Sequence, residues 1–314
     1  MWLVILRRTL EAVSLLLELS FLIFLVGAVI PGDAALAVAG QGEVPLERLN
    51  ELREQLGLND PIIVRYWTWL SGALTGDLGN SVVSQRPILA DVARAFPVTL
   101  ELSLLGMAVA LAIGLPVGVF AASHAGSVAD RVLRGSTLLF LSLPSFVLAL
   151  LLILSASRFL PAIYSSFYVG FAEDPIGHLR SVALPALAVG LPLSGQIAQI
   201  TRSSMVEAVR EPFVLTARAK GLSPRRIEYD HALRVALSPI VTLSGLLFGS
   251  LIGGLLLIER IFNLPGLGRA LINAIGDRDF QFVVAATLVI AGVYVVVNLI
   301  VDLLYPILDP RQRR

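Results

Sequence analysis

The sequence has no cysteine, so it can form neither disulfides nor thiolate metal sites. It has one lysine, Lys220, and the residue after it is Gly221. A phosphate-binding P-loop needs Lys followed by Ser or Thr, so the usual route to ATP binding and hydrolysis is closed to this chain. Histidine is nearly as scarce. His124, His178 and His231 fall in separate segments, which gives no zinc-ligand spacing. No nucleophile–base arrangement stands out, and the chain reads as non-enzymatic. Charged residues make up only 15% of the sequence, against about 25% in soluble domains.

What fills the 314 residues is apolar. The chain is 56% hydrophobic with a mean hydropathy of +0.82, values of an integral membrane protein. Six stretches match the roughly 20 residues that a bilayer crossing requires. They lie at about 10–30, 97–122, 133–158, 183–203, 237–258 and 283–305, with loops at 31–96, 123–132, 159–182, 204–236 and 259–282. No internal repeat is visible. Arg7 and Arg8 ahead of the first run, with small residues at 35–39, also resemble a cleaved signal peptide. The length of the run, interrupted by Glu11 and Glu18, favours a retained span.

Orientation follows from Lys and Arg, which concentrate on cytoplasmic loops. With the N-terminus inside, the cytoplasmic segments hold 14 of them and the two short outer loops hold 5. Loop 31–96 is too long to count as a topology signal. Both termini are therefore expected in the cytoplasm. The 31–96 segment reads as an outer helical cap. PLERLNELREQLGL has helical periodicity, and Asn59-Asp60-Pro61 opens a second helix that carries Tyr66, Trp67 and Trp69. Those rings either cap the outer mouth or only anchor a loop at the membrane interface.

Ionisable groups inside spans cost about 2.5–3.5 kcal/mol on insertion scales and should face protein or water. Glu11, Glu18, Glu101 and Asp302 are such groups, as is the polar Asn298. They read as interhelical pairs or interfacial groups ahead of a polar path. Glu101 is kept as a pore-or-pairing candidate. Gly245, Gly249 and Gly253 recur every four residues on the fifth span. Small residues at that spacing allow close helix approach, either as ordinary packing or as a sliding contact in a gate. Outside, Leu264-Pro265-Gly266-Leu267-Gly268 forms a rigid turn before a short amphipathic helix, a scaffold or a docking surface.

Residues 204–236 form the most basic segment. It reads as two short helices around Gly-Leu-Ser-Pro. Phe213, Leu215 and Ala217 form an apolar surface beside Thr216, flanked by Arg218 and Lys220. Gly221 can end the first helix with positive φ, and Ser223-Pro224 starts the second.

Together, PVTLELSLLGMAVALAIGLPVGVFAA, TARAKGLSPRRIEYDHALRVALSP, NLPGLGRALINAIGDRDF and the terminal LYPILDPR resemble the permease subunits of bacterial ABC importers. The resemblance is strongest to the B-type permease of the dipeptide/oligopeptide/nickel class and covers nearly the whole chain. It implies an all-α membrane protein of six transmembrane helices with the type I ABC importer permease fold. Its parts would be an N-terminal tail and first helix (1–30), the outer cap (31–96), a five-helix core (97–305) containing the coupling loop, and a cytoplasmic tail (306–314). The implied location is the bacterial inner membrane.

The resemblance also implies partners: a second homologous permease, two ABC ATPase subunits, an extracytoplasmic binding protein and the lipid bilayer, with no nucleic acid. ATP and Mg would be used by the ATPases, and this chain would bind no cofactor. The general permease signature E-A-A-x-x-x-G, aligned on Gly221, meets Leu215, Thr216 and Ala217 here, so its Glu is absent. The expected cargo is a short peptide. The alternatives are nickel or glutathione import, an ion- or proton-coupled carrier acting alone, and a membrane protein with no transport role.

Overall fold

In the computed structural model, the described residues are 2–29, 45–55, 59–160 and 167–308. Among them all extended regular structure is helical. The first span is α1 (Trp2–Val29), followed by α2 (Leu46–Gln55) and α3 (Ile62–Leu74). Then come α4 (Ile88–Ser123), α5 (Val128–Ser142), α6 (Ser145–Phe159) and α7 (Pro175–Ala208). A short α8 (Pro212–Ala219) and a single turn (Pro224–Arg226) precede a π-helical turn (Ile227–Ala232). The chain continues through α9 (Leu233–Gly254), α10 (Leu256–Ile261), α11 (Leu267–Gly276) and α12 (Phe280–Leu308).

Five of these stretches are long and apolar enough to cross a membrane, and a bent pair makes a sixth when its two helices are taken as one span. That pair corrects the third expected span, 133–158, which is not one helix. α5 and α6 meet at 99°. The break falls at Leu143 (φ −85°, ψ 118°), the residue before Pro144. The proline ring disfavours helical geometry at the residue ahead of it, so the bend is local chemistry rather than tertiary strain. The second span is also longer than its apolar run. It starts at Ile88 rather than Pro97, because Ile88, Val92 and Ala95 pack on Leu267, Leu271 and Ala274 of α11.

The centre of the fold is the pair α4 and α7. Their contacts advance in the same direction along both helices, so they are parallel, with α5 and α6 as the crossover. Gly106, Gly114 and Gly118 of α4 face Val189, Ile197 and Thr201 of α7. The constant register means that the two axes stay in contact over most of their length. Small residues at four-residue steps, with the fully buried Ala110 completing the row, permit this approach. Leu102, Ile197, Leu255, Ile258 and Leu264 fill the surrounding core. α7 is the most enclosed span and α1 the least.

The outer segment is divided between two supports. α3 packs on the first span: Tyr66 shares a buried hydrogen bond with Ser20 at 2.8 Å and meets Phe21 edge-on, while Trp69 lies against Phe24. The aromatic cluster thus anchors this helix to α1. Residues 78–88 pack instead on α11 and α12, and Ser81 donates a short hydrogen bond to Asp279. The small residues expected at 35–39 and the tail arginines Arg311, Arg313 and Arg314 lie outside the described residues.

Candidate functional site

The basic cytoplasmic segment begins where α7 ends. Pro212 opens α8, where its missing N–H is no loss. Eight residues later the helix stops: Lys220 is the C-cap and Gly221 follows with φ +79°. Gly221 N–H donates to Arg218 O at 2.9 Å and Leu222 N–H to Ala217 O at 3.2 Å, which satisfies the last carbonyls. The expected helix end at Gly221 is thus seen. The second expected short helix is not separate. From Pro224 the chain passes through one α turn and the π turn directly into α9.

The two faces of α8 have different roles. Val214 and Ala217 are buried against Ile227 of the π turn, with Phe213 and Leu222 packed beside them. Leu215 is 70% exposed, and Thr216, Arg218 and Lys220 are exposed with it. The apolar surface expected from Phe213, Leu215 and Ala217 is therefore split. Ala217 holds the helix to its own chain, Phe213 is half-buried, and Leu215 alone of the three stands fully on the outer face. Helical spacing places 214 and 217 on one side and 215 and 218 on another.

The rest of the segment ties this helix to three spans. The π turn continues into α9. Ser123 at the end of α4 donates to Glu228 of the π turn at 2.7 Å. Val119, Met205, Ala236 and Ile240 form one buried cluster joining α4, α7 and α9 just above the loop. A displacement of α8 would thus reach all three helices through direct contacts.

The glycine row on the fifth span is a contact within the chain. A Cβ on Gly245 would overlap Val301 of α12, and one on Gly249 would sit 2.8 Å from the Tyr294 ring. Gly253 is looser, with Ile290 at 3.7 Å. The row serves packing of α9 on α12, and the sliding-gate alternative does not fit a face already occupied by the chain's own last span. Glu101 is a pairing residue. Its Oε1 lies 2.5 Å from His178 Nε2, while His178 Nδ1 lies 2.8 Å from Val169 O. A carbonyl can only accept, so Nδ1 is the donor to Val169 O. Burial, followed by the adjacent Glu101, raises the Tyr168 phenol above its ordinary range. The charges near the cytoplasmic ends are paired too: Glu11 with Arg7 and Asp302 with Arg8.

Sequence reasoning passed over a second organised site, on the outer side. Glu259 of α10 is fully buried. It accepts from Thr99 Oγ1 at 2.6 Å, from Arg269 N–H at 2.9 Å and from the Gly268 N–H. Thr99 Oγ1 in turn accepts from Leu267 N–H at 2.8 Å. The free amides at the start of α11 are thus capped by a carboxylate from another element, a favourable place for negative charge. Burial raises the Glu259 carboxyl above the ordinary range, and these hydrogen bonds oppose that shift. Gly266 and Gly268 are required here: a side chain on Gly266 would collide with the Glu259 carboxyl, and one on Gly268 would meet the Leu256 backbone at 2.8 Å. The Pro-Gly-Leu-Gly turn is therefore scaffold. Its signal in the sequence was Glu259 itself, an acid directly after the apolar run Leu255-Leu256-Leu257-Ile258.

A bundle of this topology with a short cytoplasmic helix clamped to three spans has counterparts among known proteins. Residues 114–314 match the family described as binding-protein-dependent transport system inner membrane component, and residues 1–103 match its N-terminal companion. The chain belongs to that family. It is a multi-pass inner-membrane permease component of an importer, and its transport class works with an ATPase and a substrate-binding protein. A Brucella abortus protein named as a peptide transport system permease is 40% identical over 309 residues, 98% of each chain. The glutathione transport system permease of Salmonella choleraesuis is 35% identical over 312 residues, again 98% of each. The MetNI methionine ABC transporter, solved facing inward, shares the fold: 69% of this permease and 96% of that chain superpose with a TM-score of 0.55 at 19% identity.

Proposed function

We propose that this permease forms half of the pore of an ATP-driven importer of short peptides, beside a second, similar permease. The exposed face of α8 is the seat for one of two ATPase subunits, which carry ATP and Mg. The chain itself catalyses nothing and binds no cofactor. One observation carries the reading: α8 presents Leu215, Arg218 and Lys220 outward while Val214 and Ala217 lock it to the π turn and thus to α4, α7 and α9. A helix with one face fixed and the other free can pass a push from a partner into the membrane.

ATP binding draws the ATPase pair together, the two docked helices move with them, and the spans switch between inward and outward openings. A binding protein delivers cargo at the outer mouth. Peptide cargo is supported by the names of the relatives, and the glutathione permease fits the same class because glutathione is itself a small peptide.

The test is reconstitution of the complex in vesicles with a labelled dipeptide and the binding protein. Uptake that needs ATP inside the ATPase-bearing face supports the proposal. Uptake driven by an ion gradient without ATP overturns it in favour of a carrier acting alone.

A further inference from the structure

On the cytoplasmic side, α4, α5 and α7 enclose a cavity of about 490 Å3. Its polar lining comprises Arg131, Arg134, Thr137, Gln199, Arg202 and Ser203. The acid beside Arg131 and Arg134 is already used. Asp130 is buried and accepts from Arg202 Nε at 2.6 Å and Nη2 at 2.8 Å, and from Gly126 N–H at 2.9 Å. Arg134 reaches the same carboxylate only at 3.9 Å, and Arg131 has no ion-pair partner among the described residues. After Asp130 and Arg202 cancel, the cavity keeps two cationic side chains.

An apolar groove lined by Pro116, Val117, Phe120, Ala129, Val132 and Leu133 adjoins the cavity and shares Val117 and Leu133 with it. Phe120 and Val132 are exposed there. A basic pocket continuous with an apolar trough matches an amphiphile with a negative head and a hydrocarbon body. The arginine count along the chain puts this end at the cytoplasmic leaflet, where anionic lipids attract basic side chains.

We propose that this is a binding site for an anionic phospholipid of the cytoplasmic leaflet. The phosphodiester sits on Arg131 and Arg134, with Thr137, Gln199 and Ser203 around it, and an acyl chain lies along the Phe120–Val132 groove. A lipid held there would brace α5 against α4 and α7. The proposal rests on membrane sidedness and this geometry, and it stands independently of cargo or ATPase docking.

The experiment uses the full-length chain purified in a neutral detergent. Phosphatidylglycerol, phosphatidylcholine and inorganic phosphate are titrated separately, with thermal unfolding and native mass spectrometry as readouts. Phosphatidylglycerol should raise the unfolding temperature and remain bound. Arg131→Ala with Arg134→Ala should weaken that effect about fivefold per arginine, with only a small change in the lipid-free unfolding temperature, because Asp130 loses the 3.9 Å contact to Arg134 and keeps Arg202. Arg94→Ala, on the outer side, should leave it unchanged.

An equal effect of phosphatidylcholine would reduce the site to its apolar groove and overturn the proposal. An equal shift from phosphate alone would make it a free-anion site. Full phosphatidylglycerol affinity in the double variant would place the lipid elsewhere. Loss of the effect when the chain is purified with its partner subunits would mean that protein fills the cavity, which overturns it as well.

Discussion

Gly114 of α4 and Ile197 of α7 are in such close contact that a Cβ on Gly114 would lie 2.7 Å from the Ile197 Cβ and 2.7 Å from the Ser194 carbonyl oxygen. The second obstacle is backbone and cannot rotate away. Overpacking of this kind costs about 1–3 kcal/mol. Gly114→Ala should therefore lower the thermal stability of the purified protein by that amount. Gly292→Ala, where nothing lies within 4 Å, should be neutral in the same assay.

The two faces of α8 predict opposite phenotypes. Leu215→Asp, or reversal of Arg218 and Lys220 to Glu, should leave insertion and stability at wild-type levels and separate ATP hydrolysis from uptake. Val214→Asp would bury a charge against Ile227 and should reduce the yield of folded protein instead. Wild-type uptake in the Leu215 and Arg218/Lys220 variants would remove α8 from the coupling path.

Gly221 faces open space, so only its backbone matters. Gly221→Ala should cost about 1–2 kcal/mol locally, the ordinary penalty of a left-handed L-residue. Gly221→Pro should be worse, since proline cannot reach φ +79° and removes the N–H bonded to Arg218 O. Amide hydrogen exchange across 212–226 would show the loosening directly.

Glu259 predicts a pH dependence. Its folded pKa is raised, so the folded state holds a proton that the unfolded state has already released. The slope of stability against pH is then negative between the ordinary carboxyl range and the raised folded value. Thermal stability should fall as pH rises through that window, and Glu259→Gln should abolish this component. The same variant should lose about 1–3 kcal/mol at neutral pH, because its NH2 group would point at the amides that the carboxylate now accepts.

Gly249→Leu should destabilise the isolated chain, since the added side chain would meet Tyr294 of the chain's own α12. A variant with wild-type stability that failed only on assembly with a second permease would instead place this row at a subunit interface.

The long apolar spans and the helix end at Gly221 were legible in the sequence, because apolar length and a glycine stop are local signals. The α4–α7 contact was harder to see. Gly106, Gly114 and Gly118 are spaced as plainly as Gly245 and Gly249, but nothing local says which helix they face. The break at Leu143 was readable from Pro144, yet continuous hydropathy masked it. Glu259 stayed hidden for a related reason: its partners Thr99 and Arg269 are distant in sequence or belong to the backbone, and only the fold brings them together.

The π turn at 227–232 has a consequence for chain length. A π turn holds one residue more than the α-helix could accommodate. Each residue of an α-helix advances the phase by about 100°. The wider turn takes up that residue, so deleting one from Ile227–Ala232 would let the segment relax into ordinary α-helix with little change of phase. Deleting one from α9 instead would turn everything before it by about 100° relative to the rest of the bundle, and Leu215 would aim elsewhere without a single contact residue having been changed. The π turn is thus the place where this permease can lose a residue and still offer its cytoplasmic face in the same direction.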